Sequence, residues 1–183
     1  WRTLEATNSV VRYGLALDQL SSTASDSALT TEHRIPITGL RPDTKYYYTL
    51  ESENGTILPP DPDNSFRTNP LPSTTRNVRI WVLGDSGRGN ENQLAVLRGY
   101  QQFAAQTGAA DLMLMLGDNA YMTGQDAEYQ LRLFDVYASL LKNTTLWPTF
   151  GNHDGMSSSS STLSGPYYDS FSLPRQAEAG GTP

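Results

Sequence analysis

The 183-residue chain has no cysteine and only two histidines, His33 and His153. The first absence excludes a disulfide framework and thiolate metal sites, without fixing the compartment. No stretch approaches the roughly 18 apolar residues needed to span a membrane. Basic charge is short as well: the formal net charge is −6, which argues against general nucleic-acid binding, because that requires Lys and Arg to displace counterions. It leaves small phosphate substrates open, since a bound cation reverses the local field. What the chain has in quantity is tyrosine, 10 residues, consistent with a globular protein rich in β-structure.

Two halves read differently. Residues 1–68 show short strands and turns without a helical pattern: Val10-Val11-Arg12-Tyr13-Gly14, then His33-Arg34-Ile35-Pro36-Ile37 with a proline suited to an edge or bulge, then residues 45–51 with Tyr46, Tyr48 and Leu50 on one face. Asn54-Gly55 marks a tight turn, and Ser65-Phe66-Arg67-Thr68 closes the segment. Even strand spacing of this kind predicts a small all-β sandwich. Gly39-Leu40-Arg41-Pro42-Asp43-Thr44-Lys45-Tyr46 resembles the fibronectin type III pattern around the tyrosine corner, with Tyr46 as the tyrosine whose hydroxyl bonds to nearby backbone. A complete module of that kind has about seven strands, so the resemblance implies that the first strand is missing and that the chain begins inside a domain. Residues 69–76 are a proline-rich linker, extended and semi-rigid.

From residue 77 to 183 the pattern becomes α/β. Val78-Arg79-Ile80-Trp81-Val82-Leu83 is a buried-type strand. A helix follows with Leu94, Leu97, Tyr100 and Phe103 on one face, ended by Gly108. Leu112-Met113-Leu114-Met115-Leu116 is apolar on both faces, as a central parallel strand should be. A second helix carries Tyr129, Leu133, Val136, Tyr137 and Leu140, and Leu146-Trp147-Pro148-Thr149-Phe150 is the third strand. This βαβαβ order predicts a parallel sheet.

Each strand ends in a glycine-containing polar motif: Gly84-Asp85-Ser86-Gly87, Gly117-Asp118-Asn119-Ala120-Tyr121 and Gly151-Asn152-His153-Asp154. In a parallel sheet all three reach the carboxyl edge, where ligand sites of open α/β sheets lie. Carboxylate, phenol and amide oxygens on adjacent strand ends suit hard or borderline cations. Either aspartate alone could be a helix N-cap; the three motifs together, in order and on one edge, are not explained by capping. Gly-Asp-Ser-Gly also occurs around the nucleophile of chymotrypsin-like proteases, but here it ends a strand of a βαβ unit and the only upstream histidine, His33, lies in the β-rich half. No Gly-Lys-Ser/Thr follows it, so it is not a P-loop. Arg88 and the serine run 157–161 could border a substrate opening, although a surface residue and a flexible loop are the plainer readings.

The three motifs in this order resemble the first three signatures of the calcineurin-like metallophosphoesterases, and the tyrosine of the second narrows the resemblance to the purple acid phosphatase group. That resemblance implies half of an α/β catalytic sandwich behind a fibronectin-like module. It implies hydrolysis of phosphate monoesters by a metal-bound hydroxide at a dinuclear centre, Fe(III) paired with Zn(II), Mn(II) or Fe(II). Asp85 and Tyr121 would bind the first metal, Asp118 would bridge both, and Asn152 would bind the second. His153 would contact the phosphate and assist the leaving group, with Asp154 orienting its ring. The implied location is extracellular or periplasmic, and the implied partner a small phosphate ester rather than nucleic acid or membrane. A diesterase or nucleotidase of the same superfamily, or a non-catalytic surface-binding protein, are the alternatives. The family completes its site with three more histidines, in a Val-x-x-His-like and a Gly-His-x-His motif, and none follows His153. The expectation is therefore a piece of a longer protein, with weak metal affinity and little activity until the remainder of the catalytic domain completes the site.

Overall fold

The computed structural model describes residues 1–174, and the chain divides into two compact units, Trp1–Arg76 and Asn77–Pro183. The first is antiparallel and all-β. Its strands are β1 (Arg2–Gly14), β2 (Ser22–Glu32), β3 (Lys45–Ser52), β4 (Gly55–Leu58) and β5 (Ser65–Arg67). They run in the order β2-β1-β3-β4, with β5 pairing β3 beyond β4. The period of two is visible where one face is buried: Thr7, Ser9 and Val11 are covered along β1, and Tyr46 and Leu50 along β3. The Tyr46 hydroxyl accepts the Arg41 backbone N–H at 3.0 Å, which is the tyrosine corner expected of the Gly39–Tyr46 motif. The β3–β4 hairpin turns at Glu53-Asn54, with Gly55 just beyond at φ 120°.

One expectation for this unit needs correction, and one strand was not expected. Residues 33–37 are not a strand; the ladder ends at Glu32. His33 instead turns inward. Its ring stacks on Trp1 at 4.7 Å between centroids, and its nitrogens bond the Thr3 and Ser9 hydroxyls at 2.7 and 2.8 Å. The strand that pairs with β1 on the side away from β3 is β2, whose residues are almost all exposed.

The second unit holds a parallel sheet in the order β6-β7-β8, formed by Ile80–Leu83, Leu112–Met115 and Thr145–Pro148. The register sets Leu83, Met115 and Pro148 level, so the three following loops leave from one edge. Between β6 and β7 runs α1 (Glu91–Thr107). Asn90 caps it by accepting the Gln93 N–H, and Gly108 at φ 93° ends it. Its buried face is the expected one over its middle, where Leu97 is buried and Tyr100 packs on the core, and departs from it at the ends. Phe103 is 62% exposed, while Gln93 and Leu97 are buried. Gln93 takes a core position because its amide is used: Oε1 accepts from Gly89 N, and Nε2 donates to the Arg132 carbonyl and the Tyr137 hydroxyl.

Between β7 and β8 the chain forms α2 (Asp126–Tyr129), a π-helical turn (Gln130–Phe134) and α3 (Ala138–Leu141). The wide turn is closed by Asp135 N–H donating to the Gln130 carbonyl, after which Tyr137 returns to the ordinary spacing by donating to Leu133. Tyr129, Leu133 and Tyr137 are fully buried and pack with Leu97, Met113 and Met115. Trp81 stacks on Tyr100 at 4.1 Å. A last short helix, α4 (Pro166–Ser170), adds Tyr167, Tyr168 and Phe171 to the same core. The opposite sheet face carries Ile80, Val82 and Trp147, each about half exposed. The serine run is a self-bonded turn rather than loose chain. Ser159 and Ser164 exchange backbone bonds, and the Ser157 hydroxyl donates to the Thr123 carbonyl at 2.7 Å.

Candidate metal centre

The three glycine-containing motifs meet at the carboxyl edge of the β6-β7-β8 sheet. The loops are tied to one another through backbone: Asp85 N–H donates to the Gly117 carbonyl at 3.2 Å, and Tyr121 N–H to the Gly87 carbonyl at 2.8 Å. This closeness is what the glycines allow. A Cβ on Gly87 would overlap the Asn119 carbonyl, and one on Gly151 would overlap the backbone and carboxylate of Asp118. Asp85 and Asp118 adopt left-handed backbone, φ 54° and 53°. That conformation costs a non-glycine residue about 1–3 kcal/mol and collects at functional sites. Neither aspartate caps a helix; Asn90 and Gln125 hold those positions.

Three of the expected donors converge. The Tyr121 hydroxyl bonds Asp85 Oδ1 at 2.9 Å and Asp118 Oδ2 at 3.0 Å, so three oxygens from two loops crowd one point. Asp118 Oδ1 accepts the His153 backbone N–H at 3.0 Å, which joins the third loop. Asn152 lies between Gly151, packed on Asp118, and His153, with its side chain exposed. Burial, and then the two carboxylates it bonds, push the Tyr121 phenol far above its ordinary pKa. The phenol therefore stays protonated beside these charges, and a cation of high charge is what would reverse this. Among the described residues no three His, Cys, Asp or Glu side chains gather as a metal cage. The cluster is two carboxylates and a phenol, an all-oxygen set that fits hard cations and, through the phenol, Fe(III).

His153 sits over this cluster. Its ring lies 4.4 Å from that of Tyr121, and its Nε2 is 4.0 Å from Asp118 Oδ2. Nδ1 is 2.5 Å from the Met122 carbonyl oxygen. A carbonyl can only accept, so Nδ1 carries the proton and Nε2 is the free, reactive nitrogen. The ring is thus oriented by Met122, not by Asp154 as expected. Asp154 is completely buried. Its carboxylate accepts from Asn119 N and Nδ2, from Gly151 N at 2.9 Å and from the Tyr129 hydroxyl. Asp154 is a brace between the second and third loops. Burial, and next the Asp154 charge, drive the Tyr129 hydroxyl pKa sharply upward, which keeps that bond donating. Asp154→Asn would turn an amide toward these donors. It should lower the unfolding free energy by about 2–3 kcal/mol, read from urea melting; an unchanged midpoint would remove the brace role. Arg88, expected at the surface or beside the opening, lays its guanidinium 4.6 Å from the Tyr121 ring centroid.

Residues 78–181, more than half of the chain, match the family model described as Calcineurin-like phosphoesterase, and the chain belongs to that family. Its chemistry is the hydrolysis of phosphoester bonds, generally at a dinuclear metal centre. Residues 1–68 match the model described as Purple acid Phosphatase, N-terminal domain. Among curated proteins none matches the chain. No helix of the described residues is long and apolar enough to cross a membrane.

Proposed function

We propose that the chain supplies the first half of a dinuclear centre that hydrolyses phosphate monoesters outside the cytoplasm. Asp85 and Tyr121 would hold Fe(III), Asp118 would be shared between the two cations, and Asn152 would hold a second cation such as Zn(II), Mn(II) or Fe(II). The observation that carries this reading is the Tyr121 hydroxyl bonded to Asp85 and Asp118 at once. Two carboxylates and a phenol held together at the ends of parallel strands, on strained backbone, have little structural purpose without a cation. When bound, such a pair of cations activates water and offsets charge on the phosphoryl oxygens. Four side chains fill only part of two coordination shells. The remaining positions fall to water, substrate and histidines outside these residues, from the remainder of the catalytic domain.

The chain's own groups then have distinct tasks. Asp118 carries negative charge between the loops and anchors the His153 backbone. His153 Nε2 would face the reacting ester; with Nδ1–H kept on the Met122 carbonyl, Nε2 must first take up a proton, and the imidazolium so formed is what would give that proton to the departing oxygen. The stacked Arg88 offers positive charge beside Tyr121.

Fe(III) added to the protein should produce a visible phenolate-to-iron band that Tyr121→Phe abolishes. With the remainder of the catalytic domain present, the loaded enzyme should hydrolyse p-nitrophenyl phosphate faster than bis(p-nitrophenyl) phosphate. A band that survives Tyr121→Phe would exclude this ligand set, and a preference for the diester would exclude the monoesterase reading.

A further inference from the structure

The stretch Tyr121–Thr123 has every backbone polar group engaged, which is unusual for a loop. Tyr121 N–H donates to the Gly87 carbonyl. The Tyr121 carbonyl accepts from Arg132 Nη1, and Met122 N–H donates to Glu128 Oε1. The Met122 carbonyl takes the His153 Nδ1 proton at 2.5 Å. Thr123 N–H donates to Glu128 Oε2 at 2.9 Å, and its carbonyl accepts from Ser157. The Tyr121–Met122 peptide group is therefore gripped by Arg132 on its oxygen and by Glu128 on its nitrogen, while the next carbonyl holds the histidine.

The two gripping side chains are themselves coupled. They stand at i and i+4, 3.5 Å apart, and both are largely shielded, with side chains 18% and 33% accessible for Glu128 and Arg132. Arg132 lies inside the π-helical turn, whose extra residue re-aims side chains, and its carbonyl is pinned by Gln93 at 2.7 Å. Glu128 also accepts from the Thr123 hydroxyl and Gln125 N–H, so its carboxylate meets four donors and no competing acceptor. Burial alone would raise its pKa; these donors outweigh burial and hold the group below the usual carboxylate range.

We propose that Glu128 and Arg132 are positioning residues, which fix the His153 ring and its Nδ1–H tautomer through the Tyr121–Met122 peptide group. The catalytic use of that ring rests on the phosphomonoesterase reading above; its orientation does not. Glu128→Gln is the sharpest probe. An amide keeps one oxygen for Thr123 and Gln125 but turns an NH2 toward Met122 N–H, which breaks the bond behind the carbonyl that His153 uses. Arg132→Lys is the second variant, because it keeps the charge and loses the planar fork.

The test is 15N NMR of the imidazoles in the full chain, which has two histidines. His33, held by Thr3 and Ser9, is the internal reference. In the native protein at pH 8, His153 should show the pattern of a neutral ring protonated at Nδ1. In either variant its nitrogen shifts should move toward the tautomer mixture of a free imidazole while those of His33 stay in place. Leu97→Ala lowers the stability of the same unit by cavity formation and should leave the His153 shifts unchanged. In the metal-loaded enzyme both variants should lower kcat by about 10-fold or more with KM within about twofold of native. Native-like His153 shifts in both folded variants would overturn the proposal. So would equal shift changes in Leu97→Ala, since these would reduce the effect to lost stability. A native enzyme without monoesterase activity would sink the functional reading and leave the tautomer result standing.

Discussion

Asp118→Asn should lower cation affinity at the site by more than about 100-fold and abolish measurable phosphomonoester hydrolysis. The substitution is almost isosteric, so its effect comes from charge and from which atoms can accept. Asp118 Oδ2 receives the Tyr121 hydroxyl and Oδ1 the His153 backbone N–H. An amide can satisfy only one of these with its oxygen; its nitrogen faces the other donor. On the proposed reading it also removes the carboxylate that would bridge two cations. Losing even an outer-shell partner costs metal sites about 10–100-fold, and loss of the bridging charge should exceed that. Isothermal titration with Zn(II), alongside iron content by elemental analysis, measures it. Full occupancy of two cations in the variant would show that the bridge lies elsewhere.

His153→Ala should leave both cations bound and lower kcat by about 10²–10⁴-fold, the range for one positioned acid. The geometry argues for a role in the reaction rather than in holding the fold. The side chain is about one quarter accessible, and Nε2 stands 4.0 Å from Asp118 Oδ2 with no closer partner. Nδ1 is occupied by the Met122 carbonyl, so the ring cannot turn over without losing that bond. Steady-state rates on p-nitrophenyl phosphate at matched metal content decide it. Turnover equal to native would exclude a proton-transfer role.

The site was legible in the sequence because its signal is backbone geometry. Gly84-Asp85, Gly117-Asp118 and Gly151-Asn152 end apolar strands, and parallel strands deliver their ends to one edge whatever else surrounds them. The partners behind the site were not legible. Met122 holds His153 through a carbonyl, which any residue could provide. Asp154 was expected beside the imidazole, since it follows the histidine, but the turn after Gly151 directs it inward to Asn119 and Tyr129.

The same division runs through the fold. The parallel strands β6–β8 and the tyrosine corner follow from pattern, although one face of β6 and β8 is half exposed. β2 does not, because nearly all of Ser22–Glu32 is exposed and no apolar alternation marks a strand open on both faces; its ladder with β1 makes it one. On α1, Leu97 and Tyr100 face the core as expected, and the two ends of that face were misread for a related reason. Apolar periodicity selects Phe103 and passes over Gln93, yet the glutamine is the residue whose hydrogen bonds are made inside.

The left-handed aspartates carry one more consequence. At φ 54° and 53°, positions 85 and 118 are where a sequence optimised for folding alone would place glycine or asparagine. A thermostability screen without an activity requirement would therefore drift toward such replacements and select inert proteins. The chain keeps a less stable backbone at the two points where its anionic oxygens must face each other.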